Sequence, residues 1–442
     1  MLRTIRMPKA DYPQLTPLWI AVFIDILGFT ILIPFLPFFS QEYGAPPWQI
    51  GLLLSTNALF GFVSGPIWGA LSDARGRKPM LLISQVGTLI AFLMLAFSNN
   101  LTMLFLSRVV DGIFGGNVPI AKAIVGDVVA PKDRSKEMSN IGVAHVLSSL
   151  IGPGLGGILS QWGIVAPGLF SAALTCLTIG LTILYLKESN PVARRSPSQQ
   201  ASAPEPGRLG LGKGYPAKGG LAELQPAGLQ PAGLPSAGLP VAQESIWKNG
   251  TARYLLLQWG FHTLSFMLYV SCISLFAHLK LGLNAAQVGR LLMLAGMVRV
   301  FIRFVIFIPL LNWLGDRKTS LVGLMTFVVV FPLLGFVENQ VQFAAALCVV
   351  SFAASCTRSI LTGFLSRSVK PTEQGRAMGL SSSLDSFARI VGPMVGGFIL
   401  GSLPLWMYGS LAGAFALGAL LMHFRPMEFE HEKRQRIPQG AE

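Results

Sequence analysis

Charged residues are scarce in this chain of 442 residues, since Asp, Glu, Lys and Arg together make up only 12% of it. In soluble domains about a quarter of the residues are charged, so this composition excludes a soluble globular protein. Hydrophobic residues make up 52% of the chain, and its mean hydropathy is +0.57. We therefore predict an integral membrane protein.

Acidic residues are the rarer charged class, with 20 Asp and Glu against 34 Lys and Arg and a net charge of +14. In a soluble protein that excess would indicate a nucleic-acid partner, but here most basic residues fall in loops and tails on one side of the apolar segments. This distribution is the orientation signal of membrane proteins. We expect both termini on the cytoplasmic side of a plasma or organelle membrane, and no nucleic-acid partner.

Cysteines and catalytic signatures are also few or absent. All four cysteines lie inside apolar segments without metal-ligand spacing, which indicates neither a disulfide framework nor a zinc site. The sequence contains no nucleophile elbow, phosphate-binding glycine loop, HExxH pair or carboxylate metal cluster. We therefore expect no enzyme, no metal and no cofactor. The basic N-terminal segment lacks a cleavage site, which predicts a retained first helix.

Apolar runs of membrane length occur about twelve times, which predicts an all-α membrane protein with twelve transmembrane helices. The predicted spans are 17–39, 50–72, 79–97, 101–125, 138–160, 165–186, 252–279, 286–311, 319–337, 341–365, 376–400 and 403–423. Between the sixth and seventh lies a segment rich in Pro, Gly, Ala and Ser, which cannot bury enough apolar surface to fold alone. The predicted organisation is a cytoplasmic N-terminal segment (1–16), a six-helix bundle (17–187), a flexible cytoplasmic linker (188–251), a second six-helix bundle (252–424) and a cytoplasmic tail (425–442).

The two halves of the chain repeat each other. A Gly-Pro-x-x-Gly-Gly motif in the fifth span recurs in the eleventh, and the offset, 392 − 152 = 240, also relates Pro131 to Pro371. A duplicated six-helix unit explains this, so the two bundles are predicted to be pseudo-symmetric. Glycine and proline permit a bend and close helix contact, and two copies in register predict a paired helix interface. Its residues are Gly152, Pro153, Gly156, Gly157, Gly392, Pro393, Gly396 and Gly397.

Asp, Glu, Lys and Arg are missing from the third, sixth, ninth and twelfth apolar spans, whereas most of the other spans contain a charged residue or a histidine. Charge within a bilayer is costly and is kept towards a bundle interior or a water-filled cavity. Every third helix is therefore predicted to face lipid, and the remaining helices are predicted to surround a polar path.

Five ionisable residues are candidates for proton coupling. Asp25 lies about two turns into the first span, where burial disfavours the charged carboxylate and permits proton exchange near neutral pH. Arg108 and Asp111 share a face of the fourth helix, and His145 and Asp385 occupy matching positions of the repeat, since 385 − 145 = 240. The plainer alternatives are a permanently paired Asp25, a self-neutralised Arg108–Asp111 pair and a hydrogen-bonded core histidine.

The arginines within the apolar spans of the second half are the strongest indication of the charge of a transported solute. Arg299 and Arg303 share a face of the eighth span, which contains no acid, while Asp385 and Arg389 are spaced for an intrahelical pair. An arginine without an acid in its own helix needs a carboxylate elsewhere, a water-filled cavity or an anionic substrate. The substrate-binding candidates are Arg299, Arg303, Arg358, Arg389, His262 and Asn57.

A short charged turn separates the second span from the third. Its pattern, Gly69-x-Leu-x-Asp73-x-x-Gly76-Arg77-Lys78, resembles the signature loop of the major facilitator superfamily. The resemblance is to the drug:proton antiporter branch, which includes the tetracycline exporters and vertebrate orphan members, and it covers the whole chain outside the linker. The further residues that carry it are Asp25, Gly28, Pro34, Pro37, Arg108, Gly112, Gly152, Pro153, Gly156 and Gly157.

This resemblance implies roles for individual residues. Asp73 would lock the two halves in the outward-facing state by contacting the start of the eleventh helix near Gly375 and Arg376, so that the turn and Arg376 form a conformational gate. Arg108 would assist proton transfer, and Asp25 would accept the proton. The sequence departs from the family at Ala74, where arginine is frequent, and in the degenerate second-half loop Leu314-Gly-Asp-Arg-Lys318.

The sequence thus predicts a monomeric transporter of the major facilitator fold that moves a small organic solute by alternating access, coupled to protons as an antiporter. The cationic second half favours an anionic or zwitterionic solute. Two alternatives remain open. One is a facilitated uniporter of an organic anion, in which the buried charges are structural. The other is a transporter-derived sensor or scaffold that binds a solute and signals through its linker.

Overall fold

The computed structural model of the chain describes residues 12, 15–130, 133–190, 249–370 and 373–425. In these ranges eleven helical stretches are long and apolar enough to cross a bilayer. One of them, Ala285–Leu334, has 50 residues. At 1.5 Å per residue it measures roughly 75 Å, more than twice the ~30 Å thickness of the hydrocarbon core. It is broken at Gly315, which has a φ of 74° and is non-helical, so this stretch contains two spans and the predicted twelve are present.

We number the helices α1 to α12 in chain order. They are α1 (Thr16–Glu42), α2 (Pro47–Arg75), α3 (Arg77–Ala96), α4 (Leu101–Val128), α5 (Arg134–Leu159), α6 (Val165–Tyr185), α7 (Gly250–Leu281), α8 (285–314), α9 (316–334), α10 (Gln340–Arg367), α11 (Gln374–Ser402) and α12 (Trp406–His423). The predicted linker, 188–251, lies outside the described residues except at its two ends, and so does most of the two predicted terminal segments.

Three of the spans are interrupted within the membrane. In α1, Pro34 and Pro37 lack a backbone N–H, and the 3-10 turn Ile33–Phe35 joins its two helical segments. In α4, Phe114 to Gly116 separate the segments Leu101–Ile113 and Asn117–Val128. In α8, Ile302–Ile306 form a π-helical turn, a feature that is frequent at functional sites and that no apolar pattern predicts.

The helices form two bundles of six. In the first half α1 packs against α5 and α6, and α3 packs against α4 and α6. The second half repeats this arrangement, because α7 packs against α11 and α12, and α9 packs against α10 and α12. The helices α3, α6, α9 and α12, whose predicted apolar spans contain no Asp, Glu, Lys or Arg, make their main contacts inside their own bundle, as expected of helices that bring no charged group to the centre.

The two bundles meet closely at one end, where α2 packs against α11 and α5 packs against α8. A Cβ added to Gly397 of α11 would lie 2.5 Å from the backbone oxygen of Pro47 in α2. A Cβ added to Gly157 of α5 would lie 2.9 Å from the Cα of Gly289 in α8. These contacts lie near the α1–α2, α5–α6, α7–α8 and α11–α12 connections, and we call this end of the molecule the sealed end.

The opposite end, which carries the α2–α3, α4–α5, α8–α9 and α10–α11 connections, is open between the bundles. A Cβ added to Gly142 of α5, or to Gly375 or Gly379 of α11, would meet nothing within 4 Å. The bundles are therefore in close contact at the sealed end, and these glycines at the open end have no neighbour at contact distance.

Candidate functional site

Asp25 lies inside α1 and is half-buried. Its Oδ1 accepts a hydrogen bond from the Thr178 hydroxyl of α6 at 3.1 Å. Among the described residues no cationic side chain forms an ion pair with it. The structure therefore gives no support to permanent pairing of Asp25, and the carboxylate keeps the capacity to bind and release a proton.

Arg108 and Asp111 form a buried cluster with Asn57. Arg108 is 0% exposed, and its Nη1 lies 3.2 Å from Oδ2 of Asp111. Asn57 of α2 donates from Nδ2 to the same oxygen at 2.8 Å. Asn57 is thus engaged with Asp111, whereas the sequence predicted contact with a solute. Within the described ranges Nη2 of Arg108 is buried without a partner, which leaves one donor for water or a proton-carrying group.

Asp385 of α11 is held by three donors from the second bundle. Trp259 Nε1 and Thr263 Oγ1 of α7 each donate to its Oδ1 at 3.0 Å, and Arg358 Nη2 of α10 lies 2.6 Å from its Oδ2. The guanidinium of Arg358 also lies over the Trp259 ring, 5.4 Å from its centroid. Asp385 is therefore paired with Arg358, and the intrahelical pair with Arg389 suggested by the spacing is not formed.

Arg299 and Arg389 form no salt bridge with a carboxylate of the described residues, although Asp385, one turn from Arg389 and bound to Arg358, still attracts Arg389 electrostatically. The guanidinium of Arg299 lies 5.8 Å from the centroid of the Phe266 ring, and its Nε is buried without an acceptor. Arg389 is exposed between the bundles and makes no hydrogen bond with the part of the chain that the structure describes. A guanidinium left in this state inside a membrane protein is matched by water or by an anionic ligand.

Arg303 differs from Arg299, although both were predicted to lie on one face of α8. The π-helical turn lies between Arg299 and Phe307, and Arg303 is part of it. Arg303 donates to the Ser359 hydroxyl of α10 at 3.1 Å and stacks over Phe307 at 4.5 Å. It is therefore engaged with α10, and it is a weaker candidate for contact with a solute.

The two predicted histidines also differ. His262 is 4% exposed and packs against the Phe327 ring with centroids 5.6 Å apart, inside the second bundle. His145 of α5 is exposed. Of the two histidines, His145 is therefore the accessible one and His262 is enclosed by its own bundle.

The repeated glycine motif has the same two sets of contacts in each half. Gly152 and Gly156 pack against α1, where added Cβ atoms would meet Thr30 and Ile31 at 2.3 and 2.2 Å. The last glycine of the motif, Gly157, instead crosses to α8 of the other bundle. In the second half Gly392 and Gly396 pack against α7, while Gly397 crosses to α2. A Cβ added to Gly51 of α2 would meet the carbonyl oxygen of Pro393.

The charged turn between α2 and α3 is attached to its own bundle. Gly76 has a φ of 102°, which lets the chain reverse between the two helices. Nη1 of Arg77 lies 2.5 Å from Asp73, and Nε of Arg77 lies 2.8 Å from Asp127 at the end of α4. Glu188 accepts hydrogen bonds from the backbone N–H groups of Arg77 and Lys78 and so caps the start of α3.

The predicted contact of this turn with the start of α11 is not formed in this conformation. The side chain of Asp73 is 67% exposed, Arg376 is exposed, and an added Cβ at Gly69 or Gly375 would meet nothing within 4 Å. The prediction concerned a state in which this end is closed, so the gate remains a prediction for that state.

Replacing Arg77 by glutamine should destabilise the first bundle by about 2 kcal/mol, because the buried guanidinium of Arg77 loses its ion pairs with Asp73 and Asp127. Lys78→Gln is the matched control, since the Lys78 ammonium makes only an exposed hydrogen bond to the Ile183 carbonyl. Thermal unfolding of both variants in detergent checks this. Equal melting temperatures would show that the Arg77 ion pairs contribute nothing.

Sequence reasoning missed the residues that support the charged groups. On α7, Trp259 and Thr263 donate hydrogen bonds to Asp385, and the Trp259 ring also lies under Arg358. Phe266 lies under Arg299, and Thr178 of α6 donates to Asp25. The three residues of α7 could have been found from the sequence, because the spacing 259, 263, 266 puts them on one face of the helix. No comparable spacing links Thr178 to Asp25, which lie on different helices.

Sequence comparisons place this geometry in a known context. The sequence model described as Major Facilitator Superfamily matches residues 18–307 and 300–441. The class H tetracycline resistance protein of Pasteurella multocida is 25% identical over 416 residues, which cover 91% of this chain and 94% of that protein. Human major facilitator superfamily domain-containing protein 10 is 27% identical over 433 residues, which cover 90% of this chain and 88% of that protein.

Solved structures show the same fold. The crystal structure of the human organic anion transporter MFSD10 (TETRAN) aligns with a TM-score of 0.61 at 22% identity, covering 93% of this chain and 99% of that one. A bacterial homolog of the human lysosomal transporter Spinster, in an inward-facing and unoccupied conformation, aligns with a TM-score of 0.64 at 15% identity, covering 94% and 97%.

Proposed function

This chain belongs to the major facilitator superfamily of transporters, and from that premise we propose that it moves a small organic anion or zwitterion across a membrane by alternating access. The observation that carries the solute class concerns Arg299 and Arg389, two guanidinium groups that form no salt bridge with the described residues and lie on α8 and α11, the second-bundle helices that pack against the first bundle. The human relative whose structure is titled an organic anion transporter supports the same class.

Protons are proposed to drive this movement, with the chain acting as an antiporter. Asp25 is the proposed proton acceptor, because it lies in a membrane span and, among the described residues, its side chain binds only the Thr178 hydroxyl. The charges of Arg108 and Asp111 on α4 are proposed to adjust how readily Asp25 binds and releases this proton. The tetracycline resistance protein among the relatives, together with the glycine motif of α5, supports exchange of solute against protons.

The orientation and assembly are proposed from the charge distribution. Basic residues concentrate at the open end, so this end and both termini are placed on the cytoplasmic side of a plasma or organelle membrane, and the conformation described above is inward-facing. Asp73 and Arg376 would then meet when the open end closes. The chain is proposed to act as a monomer, because each bundle finds its partner within the same chain.

Arg299→Gln should raise the KM for an organic anion at least tenfold, because a charge-assisted hydrogen bond of about 1.5–3 kcal/mol is removed. Arg303→Gln, on the same helix, should change the KM less than about threefold, because Arg303 is engaged with Ser359. Uptake of anions, zwitterions and cations into proteoliposomes checks this. An equal increase of the KM in both variants would contradict the assignment of the anion to Arg299.

Facilitated uniport is the first alternative, and one observation favours it. Two of the membrane charge pairs, Arg108–Asp111 and Arg358–Asp385, already neutralise themselves. If Asp25 stays protonated throughout the cycle, the chain equilibrates an organic anion without moving protons.

A sensor or scaffold is the second alternative. Deletion of Pro191–Gln243 discriminates, because a transporter keeps its flux without this segment whereas a scaffold loses its output.

A further inference from the structure

Within the described ranges, a single hydrogen bond joins the two bundles. The Ser55 hydroxyl of α2 donates to the backbone carbonyl oxygen of Ile390 in α11 at 2.6 Å. Ser55 is 2% exposed, so water does not compete for this bond. The bond lies at the sealed end, one helical turn from Gly51, which packs against Pro393 and Gly397. It is therefore part of the contact that closes the molecule at that end.

The same hydroxyl has a second acceptor in its own helix. Oγ of Ser55 lies 3.0 Å from the backbone carbonyl oxygen of Gly51, one turn earlier in α2. A hydroxyl has one donor hydrogen, and it rotates to suit the acceptors around it. When α2 and α11 separate, the hydrogen can rotate to Gly51, so the hydroxyl keeps a hydrogen bond. Opening of the sealed end therefore leaves no unsatisfied donor at this position.

The contact between α5 and α8 is the pseudo-symmetric counterpart of the contact between α2 and α11. A Cβ added to Gly289 of α8 would lie 2.7 Å from the carbonyl oxygen of Pro153 in α5. Likewise, a Cβ added to Gly51 of α2 would meet the carbonyl oxygen of Pro393 in α11. Since 289 − 51 = 238, residues of α2 and α8 correspond at an offset of 238.

The hydrogen bond of Ser55 has no equivalent in that second contact. At the same offset the counterpart of Ser55 is Met293, because 293 − 55 = 238, and a thioether has no hydrogen to donate. A Cβ added to Gly154 of α5 would lie 2.4 Å from Sδ of Met293, so the methionine packs beside this glycine. The sealed end is thus held by a directional bond between α2 and α11 and by apolar packing between α5 and α8.

We propose that Ser55 is a switchable latch of the sealed end: its hydroxyl binds Ile390 of the other bundle while this end is closed, and it returns to Gly51 of its own helix when this end opens. The latch sets how often the sealed end opens. This inference rests on the alternating access proposed above, and it adds a residue that positions the two bundles without contacting the solute.

The bilayer gives this bond its weight. Helices in a membrane associate through close packing and interhelical hydrogen bonds, because lipid is as apolar as the side chains themselves. A buried hydroxyl that loses its only acceptor is costly, but Ser55 has the Gly51 carbonyl oxygen at 3.0 Å. Breaking the bond to Ile390 therefore costs little, and Ser55 stabilises the closed end by an amount that the transport cycle can reverse.

Chemical modification of a reporter cysteine in the purified full chain tests the proposal. The four native cysteines are replaced by alanine, and Leu54 of α2, which is 8% exposed, is replaced by cysteine. The probe is a methanethiosulfonate reagent in the absence of solute, and the reaction is followed by mass. Ser55→Ala should raise the rate of modification about fivefold, because loss of one interhelical hydrogen bond increases the fraction of molecules that are open at this end.

Ser64→Ala is the matched control on the same helix. The buried hydroxyl of Ser64 also donates to a backbone carbonyl oxygen of a neighbouring helix, that of Gly112 in α4 at 2.8 Å, but this acceptor belongs to the same bundle. Both substitutions remove one interhelical hydrogen bond from α2, whereas only Ser55→Ala should raise the rate of modification. An equal rise in Ser64→Ala would indicate general loosening of α2 and would overturn the proposal.

Failure of this inference is distinguishable from failure of the proposed function, because modification is measured without solute. Equal rates with and without Ser55→Ala, together with flux of an organic solute, would overturn the latch alone. A higher rate in Ser55→Ala, together with no flux of anions, zwitterions or cations, would support the latch and end the transport proposal.

Discussion

Asp25→Asn should abolish accumulation of the solute against its gradient while leaving downhill exchange in place. An amide has the size of the carboxylate but takes up no proton, so the solute no longer moves in exchange for one. With the membrane potential clamped, a pH difference of about one unit supports roughly tenfold accumulation at one proton per solute. In the variant the ratio of internal to external solute should fall to about one.

Thr178→Val is the matched control for Asp25, because it removes the only described side-chain donor to that carboxylate and keeps the carboxylate itself. It should retain accumulation while shifting the pH at which transport is fastest. If Asp25→Asn still concentrates the solute as the unmodified protein does, Asp25 is not the coupling group, and the uniport alternative or another acid takes its place.

Gly397→Ala should slow transport at least tenfold by preventing closure of the sealed end. Its added methyl group would lie 2.5 Å from the Pro47 carbonyl oxygen and closer than 3 Å to Gly51, so α2 and α11 would have to separate. Sealing that end is one half of the alternating cycle. A cysteine introduced near the seal should react faster with a water-soluble reagent in this variant.

Gly379→Ala is the control on the same helix, where an added methyl group meets nothing within 4 Å. Alanine is the better helix former by about 1 kcal/mol, so this variant should be at least as stable and should transport normally. The pseudo-symmetric partner, Gly157→Ala, should reproduce the effect of Gly397→Ala through contact with Gly289. Normal flux in both seal variants would show that the closure at this end is not part of the cycle.

Much of the fold was predictable, because helices in a bilayer must be long and apolar. The number and order of the spans follow from hydropathy, and the family and the multi-pass membrane architecture are confirmed by the comparisons. The pseudo-symmetry also follows, because the Gly-Pro-x-x-Gly-Gly motif recurs at a constant offset. Hydropathy did not show the π-helical turn of α8, since a π-helical turn has no characteristic pattern of apolar residues.

The sequence predicted which charged residues form the candidate site, but not which of them form ion pairs with each other. The sequence identifies which helices carry charge. It does not show that Arg358 of α10 pairs with Asp385 of α11, whereas Arg389, one turn from Asp385 on the same helix, does not. Likewise, the spacing that placed Arg303 beside Arg299 assumed a regular α-helix, and the π-turn breaks that assumption. Pairings between helices depend on how the bundles pack, so they emerge only from the structure.

The division of the arginines into paired and unpaired ones is the main result of the structure for function. Arg108 and Arg358 have carboxylate partners, and Arg303 has a hydroxyl, which leaves Arg299 and Arg389 among the described membrane arginines that face the centre. Without this division, four cations in the second half would have suggested a highly charged solute. The two guanidinium groups without a salt bridge support the anionic or zwitterionic solute proposed above.

The central claim is that this chain transports an organic anion or zwitterion in exchange for protons. The most direct test is solute flux in sealed proteoliposomes with an imposed pH gradient, using a mixed set of organic anions, zwitterions and cations and recording internal pH in the same vesicles. The account predicts that an anion or zwitterion accumulates against its gradient while protons move in the opposite direction. Solutes that only equilibrate without a pH change, or a solute that binds without crossing, would contradict it.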